Sequence, residues 1–465
     1  MRGTLLTCSL LLLSNPLFAQ FGPQQIISST TERAYVSKAV DIDNDGYIDV
    51  LKSSLETYEL AWHRNLNNEG NFGEEILITD TPALYNYIGF VDVDTDGDKD
   101  LLLLINNPEK VVWIENLDGM GNFGPEQTII ENTPDYLLGI TPGDIDNDGK
   151  IDIIVRFTNI AWEKLVYYKN LGGGTFDQGQ TIVEDVTFST LLSPVLADVD
   201  NDGLLDMISS IEISSGPAKI VWFKNLGNGL FDDYQEIYQF AFLLSDWTSV
   251  YGLQYVDINS DSKNDIVIIA HNDDFGTWYF WIENMDNSGN FGETRGLPQS
   301  GLFFDVDNDG DNDMVTGNRF VDRIYWIENM DGLGTFEIER DITTEIDFLM
   351  NLDVADFNGD GYLDIVSASL GDNKIAWYEN TGELGIEGFH KNTLTLVPNP
   401  TFGITTLISE VPYTSLELFD ATGKIISLPA NNISTIDLSN LDAGIYFLRV
   451  LYVSNHSEVK KIIKI

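Results

Sequence analysis

The sequence predicts an all-β protein: a seven-bladed β-propeller followed by a small C-terminal β-sandwich. Three observations carry that expectation. An aspartate-rich loop, DIDNDGYID from Asp41, returns from Asp92, Asp144, Asp198, Asp257, Asp305 and Asp356, with starts 51, 52, 54, 59, 48 and 51 residues apart. A second element keeps step with it, reading AWHRN, VWIEN, VYYKN, VWFKN, FWIEN, YWIEN and AWYEN. A third, of the type NFGEEILI or GTFDQGQTI, follows most of these. A repeat of this length indicates a solenoid, a propeller or an array.

Each unit divides into four short strands. In the second they are YIGFVDV, DLLLLI, KVVWIEN and FGPEQTII. Short apolar or alternating runs split by Gly, Asn, Asp and Pro are strand signals, and no long amphipathic helix pattern interrupts them. The seventh unit lacks a clear third element, but FGPQQIISS at 21–29 matches FGPEQTIIE at 123–131. Phe21–Ser29 is therefore expected to supply the outer strand of the last blade, which leaves only short, protected edges. GIEGFHKN at 385–392 competes for that place.

The aspartate loop asks for a cation. Alternate residues of a tight loop can turn carboxylates to one point, and a hard divalent ion such as calcium takes six to eight oxygen ligands. Gly46 permits the sharp turn. An EF-hand would need glutamate at position twelve and a helix on each side. Position twelve is Lys52 and the flanks read as strands, so the closing carboxylate falls at position nine, Asp49. The expected ligands are Asp41, Asp43, Asp45 and Asp49 in the first loop. They are Asp92, Asp94, Asp96 and Asp100 in the second, Asp144, Asp146, Asp148 and Asp152 in the third, and Asp198, Asp200, Asp202 and Asp206 in the fourth. The fifth offers Asp257, Asn259, Asp261 and Asp265, the sixth Asp305, Asp307, Asp309 and Asp313, and the seventh Asp356, Asn358, Asp360 and Asp364. The fifth, with Asn259 and with Ser262 in place of glycine, is expected to be the weakest. The alternative is a set of metal-free Asx-turns; mutual repulsion of four convergent carboxylates argues against it.

The chain has 465 residues and a formal charge of −49. Residues 391–465 hold six Lys or Arg and six Asp or Glu, so the negative charge lies in the repeats. Such a surface repels nucleic acid and anionic membranes, which excludes both as expected partners. MRGTLLTCSLLLLSNPLFAQ resembles a secretory signal, with Arg2 as the charged region and Ala19 before the expected cleavage. Its apolar run is too short for a membrane span, and no later stretch qualifies. The only cysteine, Cys8, lies inside it, so no disulfide or thiol chemistry is expected in the mature chain. The expected domains are a signal peptide over 1–19, the propeller over 20–390 and a small immunoglobulin-like β-sandwich over 391–465.

The tail breaks the repeat. PNPTFG at 398–403, DATGK at 420–424, LDAGIYFLRV at 441–450 and the KKIIKI end resemble the C-terminal sorting domain of the Bacteroidota type IX secretion system. The resemblance implies recognition by that machinery and delivery to the outer cell surface or the medium. An ordinary immunoglobulin-like domain is the alternative. The D-x-D-x-D-G-x-x-D loops and the recurring NFG resemble FG-GAP or VCBS repeats, the family that includes the integrin α-subunit head. That resemblance implies a propeller whose loops join the first two strands of each blade and bind several calcium ions.

The repeated tryptophans 62, 113, 222, 281, 326 and 377 are expected to pack blade on blade, because a residue present once per blade is core before it is ligand. Trp162, Trp247 and Trp278 fall outside the series. Trp162 and Trp278 are expected between second and third strands, on the face opposite the aspartate loops. Arg33, Tyr85, Tyr136, Arg319 and Arg323 are expected near that face. These residues are candidates for binding a glycan or protein ligand; loop packing is the alternative. No strong catalytic constellation appears. Of His63, His271, His390 and His456, only His271, beside Asp273 and Asp274, stands near that face. The expected function is a secreted or cell-surface calcium-binding module for adhesion or binding. The alternative is a polysaccharide lyase or glycosidase on the same scaffold, which would need paired carboxylates in one cleft.

Overall fold

Continuous apolar runs such as Leu101–Leu104 require cover on both faces, and the chain supplies it by stacking sheets. The computed structural model describes residues 20–80, 83–159, 162–185, 188–191, 194–213, 217–240, 248–272, 276–382, 395–408, 413–420, 424–426, 435–452 and 457–465. The signal segment, Trp247, GIEGFHKN, His390 and His456 lie outside them. Every regular element among the described residues is a strand. The chain divides into two compact units, one formed by Phe21–Gly382 and a second that contains Glu383–Ile465.

The repeat unit holds, among the described residues, seven antiparallel sheets of four or five strands, each built from consecutive strands of one repeat except the last. The second repeat gives Tyr85–Val91, Asp100–Asn106, Glu109–Asn116 and Phe123–Glu131, hydrogen-bonded in that order. The second strand is buried almost throughout, which is why it reads as an unbroken apolar run; the fourth, at the sheet edge, is exposed or half-buried except at Ile130. In the last sheet, Gln25–Ser28 pairs antiparallel with Lys374–Tyr378, and Phe21 bridges Asn380. The N-terminal segment thus occupies the edge that its sequence match assigned to it.

Apolar clusters join successive sheets. Trp62 with Leu103 and Ile114 links the first to the second, and Trp113 with Ile153 and Val155 links the second to the third. Trp326 with Ile365 and Tyr378 links the sixth to the seventh. Ala34 and Val50 of the first sheet pack with Phe357, Val366 and Trp377 of the seventh. All six tryptophans of the series are buried, as expected of a residue that each repeat turns toward its neighbour.

The second unit contains two sheets. One is made of Thr395–Val397, Ile404–Ile408 and Thr435–Asp437; the other of Ile425–Ile426, Tyr413–Asp420, Gly444–Tyr452 and Ser457–Lys464. Leu407 and Ile436 of the first meet Leu418, Leu448, Val450 and Ile462 of the second in one core. The PNPTFG segment holds the C-terminal strand: Asn399 donates to the Lys461 carbonyl (2.7 Å) and accepts from the Ile463 amide (2.9 Å).

Candidate metal centres

Each aspartate loop is a tight bend between the first and second strands of its repeat, with two residues in the left-handed region. These are the fourth and sixth, as in Asn44 (φ 53°) and Gly46 (φ 87°). Ser262 takes the sixth position of the fifth loop at φ 65°, a conformation that glycine adopts without strain.

The four aspartate positions have different jobs. The first accepts amides from across the bend: the Gly149 N–H reaches Asp144 Oδ2 at 3.0 Å and the Asp148 N–H reaches Asp144 Oδ1 at 3.0 Å. The fifth accepts from the seventh, as from Tyr47 to Asp45 (2.9 Å). The ninth is fully buried and ties the loop to the third strand. Asp100 accepts from the Val93 amide at 2.9 Å with one oxygen and from the Asn116 amide at 2.9 Å with the other. The same two bonds recur at Asp49, Asp152, Asp206, Asp265, Asp313 and Asp364. Burial raises these carboxyls against the pull of their amides, to about 7 at Asp49, Asp100, Asp265 and Asp364, and to about 8 at Asp313.

The third position is different. Buried oxygens of Asp43, Asp146, Asp200 and Asp307 have no hydrogen-bond partner, nor has Asp41 Oδ1 at the first position of its loop; the other oxygens of Asp43, Asp146 and Asp200 meet Arg64, Lys169 and Lys224. An Asx-turn accounts for the amide bonds of the first, fifth and ninth residues, but not for an orphaned buried carboxylate oxygen, which is costly unless something compensates it. Three carboxylate oxygens lie within 4.8 Å of one another in five loops: Asp41, Asp43 and Asp45; Asp92, Asp94 and Asp96; Asp144, Asp146 and Asp152; Asp198, Asp200 and Asp206; Asp305, Asp307 and Asp313. Such oxygen clusters fit a hard divalent cation. The loops from Asp257 and Asp356 place amides, Asn259 and Asn358, at the third position; each accepts an amide bond there, from Asp261 (3.2 Å) and Asp360 (3.1 Å).

Sequence reasoning missed the asparagine that ends the third strand. Its side chain crosses to the preceding repeat. Asn116 Nδ2 donates to the Ile42 carbonyl (2.8 Å), Asn170 to Val93 (2.7 Å), Asn225 to Ile145 (2.8 Å), Asn329 to Ile258 (3.0 Å) and Asn380 to Val306 (2.7 Å). Asn65, in the first repeat, donates to Phe357 of the seventh (2.8 Å). The acceptor is always the second residue of an aspartate loop. Asn284 instead donates to Tyr255 Oη (3.0 Å) and to its own repeat. Each loop is therefore fixed to its own sheet through position nine, and all but the fourth are fixed to the next repeat through position two.

These loops and the tail carry family signatures. The FG-GAP-like repeat model matches residues 41–103, 92–155 and 305–367, and the secretion system C-terminal sorting domain matches 395–465. The chain carries FG-GAP-like repeats and ends in a type IX sorting domain. That domain directs export through the type IX system to the cell surface or the extracellular space. No curated protein matches the chain. Among solved structures, a Photorhabdus luminescens Tc holotoxin pore is similar at 13% identity and TM-score 0.38, over 95% of this chain; the chain spans 19% of that protein's length. BBS1N in complex with ARL6DN, in crystals soaked with lead and with mercury, is similar at 9% and 8% identity with TM-scores 0.43 and 0.46. Each match covers 77% of this chain and 97% of the other.

Outside the FG-GAP-like loops, the odd tryptophans divide. Trp162 sits between the second and third strands of its repeat, with Lys164 Nζ 4.6 Å from its ring centroid. Trp278 does not lie in a connection. It is within the third strand, Gly276–Asn284, paired with Ala270, at the register that Lys110, Lys219 and Arg323 hold in the third strands of their own repeats. It lines a cavity of about 570 Å³ with Tyr238, Phe280 and Arg295. His63 is buried, with Nδ1 3.0 Å from the Gly73 carbonyl, and burial lowers its pKa.

Proposed function

We propose that the FG-GAP-like unit is a closed seven-bladed propeller, stapled by calcium in its aspartate loops, that acts at the cell surface or in the medium as a binding or adhesion module. Three features support closure: the edge strand Gln25–Ser28 on the last sheet, the cluster shared by Ala34, Val50, Phe357 and Trp377, and the Asn65 bond to Phe357. The carboxylate clusters of five loops and the orphaned buried oxygen of Asp307 support the ion.

The ligand face is the end of the sheets away from the loops, where second strands finish and third strands begin. The observation that carries this reading is the cavity beside Trp278. Its walls are aromatic, from Tyr238, Tyr279 and Phe280, with Thr277, Thr294 and Arg295 as polar groups. A concave apolar pocket with a few converging polar groups is the usual form of a small-ligand site. Among the described residues that line it there is no carboxylate or imidazole, and the aromatic walls favour a bound glycan or peptide. A glycan array with the secreted chain and its Trp278→Ala variant tests this reading. Loss of the bound class with an unchanged melting curve supports it; identical profiles reject it.

A further inference from the structure

The residue just before each strand-ending asparagine sorts the loops. It is basic in the first, third and fourth repeats, at Arg64, Lys169 and Lys224, and glutamate in the others, at Glu115, Glu283, Glu328 and Glu379. The bases reach back into their own loops and always to the same positions. Arg64 Nε is 2.5 Å from Asp43 Oδ2 and its Nη2 is 2.8 Å from Asp45 Oδ2. Lys169 Nζ contacts Asp146 and lies 2.9 Å from Asp148 Oδ2. Lys224 Nζ contacts Asp200 and lies 2.9 Å from Asp202 Oδ2.

The glutamates turn the same register to the opposite charge. Glu379 Oε1 accepts from Asn358 Nδ2 at 3.3 Å, at the third position of the seventh loop. Glu283 and Glu328 are paired with Arg295 and Arg340 of their fourth strands, so those arginines are taken up outside the loop. The second and sixth loops also carry an extra aspartate at position seven, Asp98 and Asp311.

We propose that Arg64, Lys169 and Lys224 are tethered counter-cations that hold the first, third and fourth loops at low divalent-ion affinity, leaving the tight sites to the second and sixth loops, which combine a glutamate with a full oxygen cluster. The inference rests on the calcium reading above and adds to it a selectivity within one chain. A guanidinium or ammonium on the third- and fifth-position oxygens occupies acceptors that an ion needs, and it repels the ion at short range. Unlike salt in the medium, it cannot diffuse away. A calcium ion entering these loops must displace it, whereas an ion entering the second or sixth loop meets only oxygens and negative charge.

The test is calcium counting by equilibrium dialysis on the full chain and on Lys169→Glu/Lys224→Glu. The double variant should gain two tight ions, with affinity at those loops rising roughly tenfold or more. Lys169→Gln/Lys224→Gln, which removes the charge without adding an acid, should gain the same ions less tightly and guards against a folding defect in the first variant. Glu115→Lys should lose one tight ion. Seven equally tight sites in the natural chain, or variants that bind as it does, overturn the inference and leave the calcium reading standing. No bound calcium in any form overturns both.

Discussion

Asn116 in the second repeat holds Asp100 and Ile42 at once: its backbone N–H donates to the Asp100 carboxylate at 2.9 Å, and its side chain donates to the Ile42 carbonyl of the first repeat at 2.8 Å. Both groups are buried. Removing the side-chain donor leaves a buried carbonyl unpaired, which costs about 1–3 kcal/mol. Asn116→Ala should therefore lower stability by that amount. Asn284→Ala should cost less, since the Asn284 amide bonds Tyr255 and its own repeat and ties no preceding loop. Urea unfolding of the two variants side by side checks the difference; equal losses would show that the cross-repeat bond contributes nothing special.

The buried ninth-position carboxyls set the pH dependence of the metal-free protein. Asp49, Asp100, Asp265 and Asp364 are pushed up to about 7 and Asp313 to about 8, first by burial. The folded chain then holds protons that the unfolded chain has released above about pH 4, so stability from these groups is complete below that and is lost as pH rises through about 7 to 8. In chelator, the melting temperature should fall between pH 5.5 and pH 8 by about 5 °C or more. Calcium should reverse the slope, because it binds the ionised form and competes with protons. A chelated protein that melts higher at pH 8 would contradict this assignment.

Two neighbouring glycines separate backbone strain from packing. Gly173 (φ 59°) and Gly174 (φ 67°) share the left-handed region, yet a Cβ on Gly173 meets open space, while one on Gly174 would fall inside the Trp113 ring. Gly173→Ala should cost only the left-handed penalty of about 1–2 kcal/mol. Gly174→Ala adds overpacking of about 1–3 kcal/mol, since Trp113 is buried and sits in the cluster between the second and third sheets. Thermal melts that rank the two variants equally would mean that Trp113 can move aside.

Much of this arrangement was legible because it is local and repeated. The spacing of Asp92, Asp94, Asp96 and Asp100 around Gly97 states the loop, and the runs on either side state the strands. The role of Asn116 was not legible, although the residue stands in a repeated motif, because its acceptor is 74 positions away and appears only when repeats stack. The charge alternation at Arg64, Glu115 and Lys169 was visible as letters. Its consequence needed the third strand to lie beside the loop, which no single-repeat pattern expresses. Trp278 was misplaced because it stands six residues before Asn284, the register that Lys110, Lys219 and Arg323 hold before their own asparagines, and that register lies inside the third strand.

The sorting domain closes on a buried ammonium. Lys464 Nζ, in the last strand, donates to the carbonyls of Leu438 (2.7 Å), Ser439 (3.2 Å) and Leu441. Those carbonyls surround the turn that opens the LDAG motif, so the lysine joins the basic end of the chain to that turn. Lys464→Met keeps the apolar stem and removes the donors, which leaves carbonyls unsatisfied at about 1–3 kcal/mol. In the full chain, proteolysis within 435–465 should accelerate roughly tenfold while the repeat unit keeps its melting temperature, because local opening governs cleavage. Lys464→Arg should recover part of the protection, since a guanidinium retains the charge and the donors but not the compact geometry. Unchanged cleavage in Lys464→Met would mean that the turn is held by Tyr446, whose hydroxyl donates to the Asp442 carbonyl at 2.8 Å, and that the terminal lysine is dispensable to the fold.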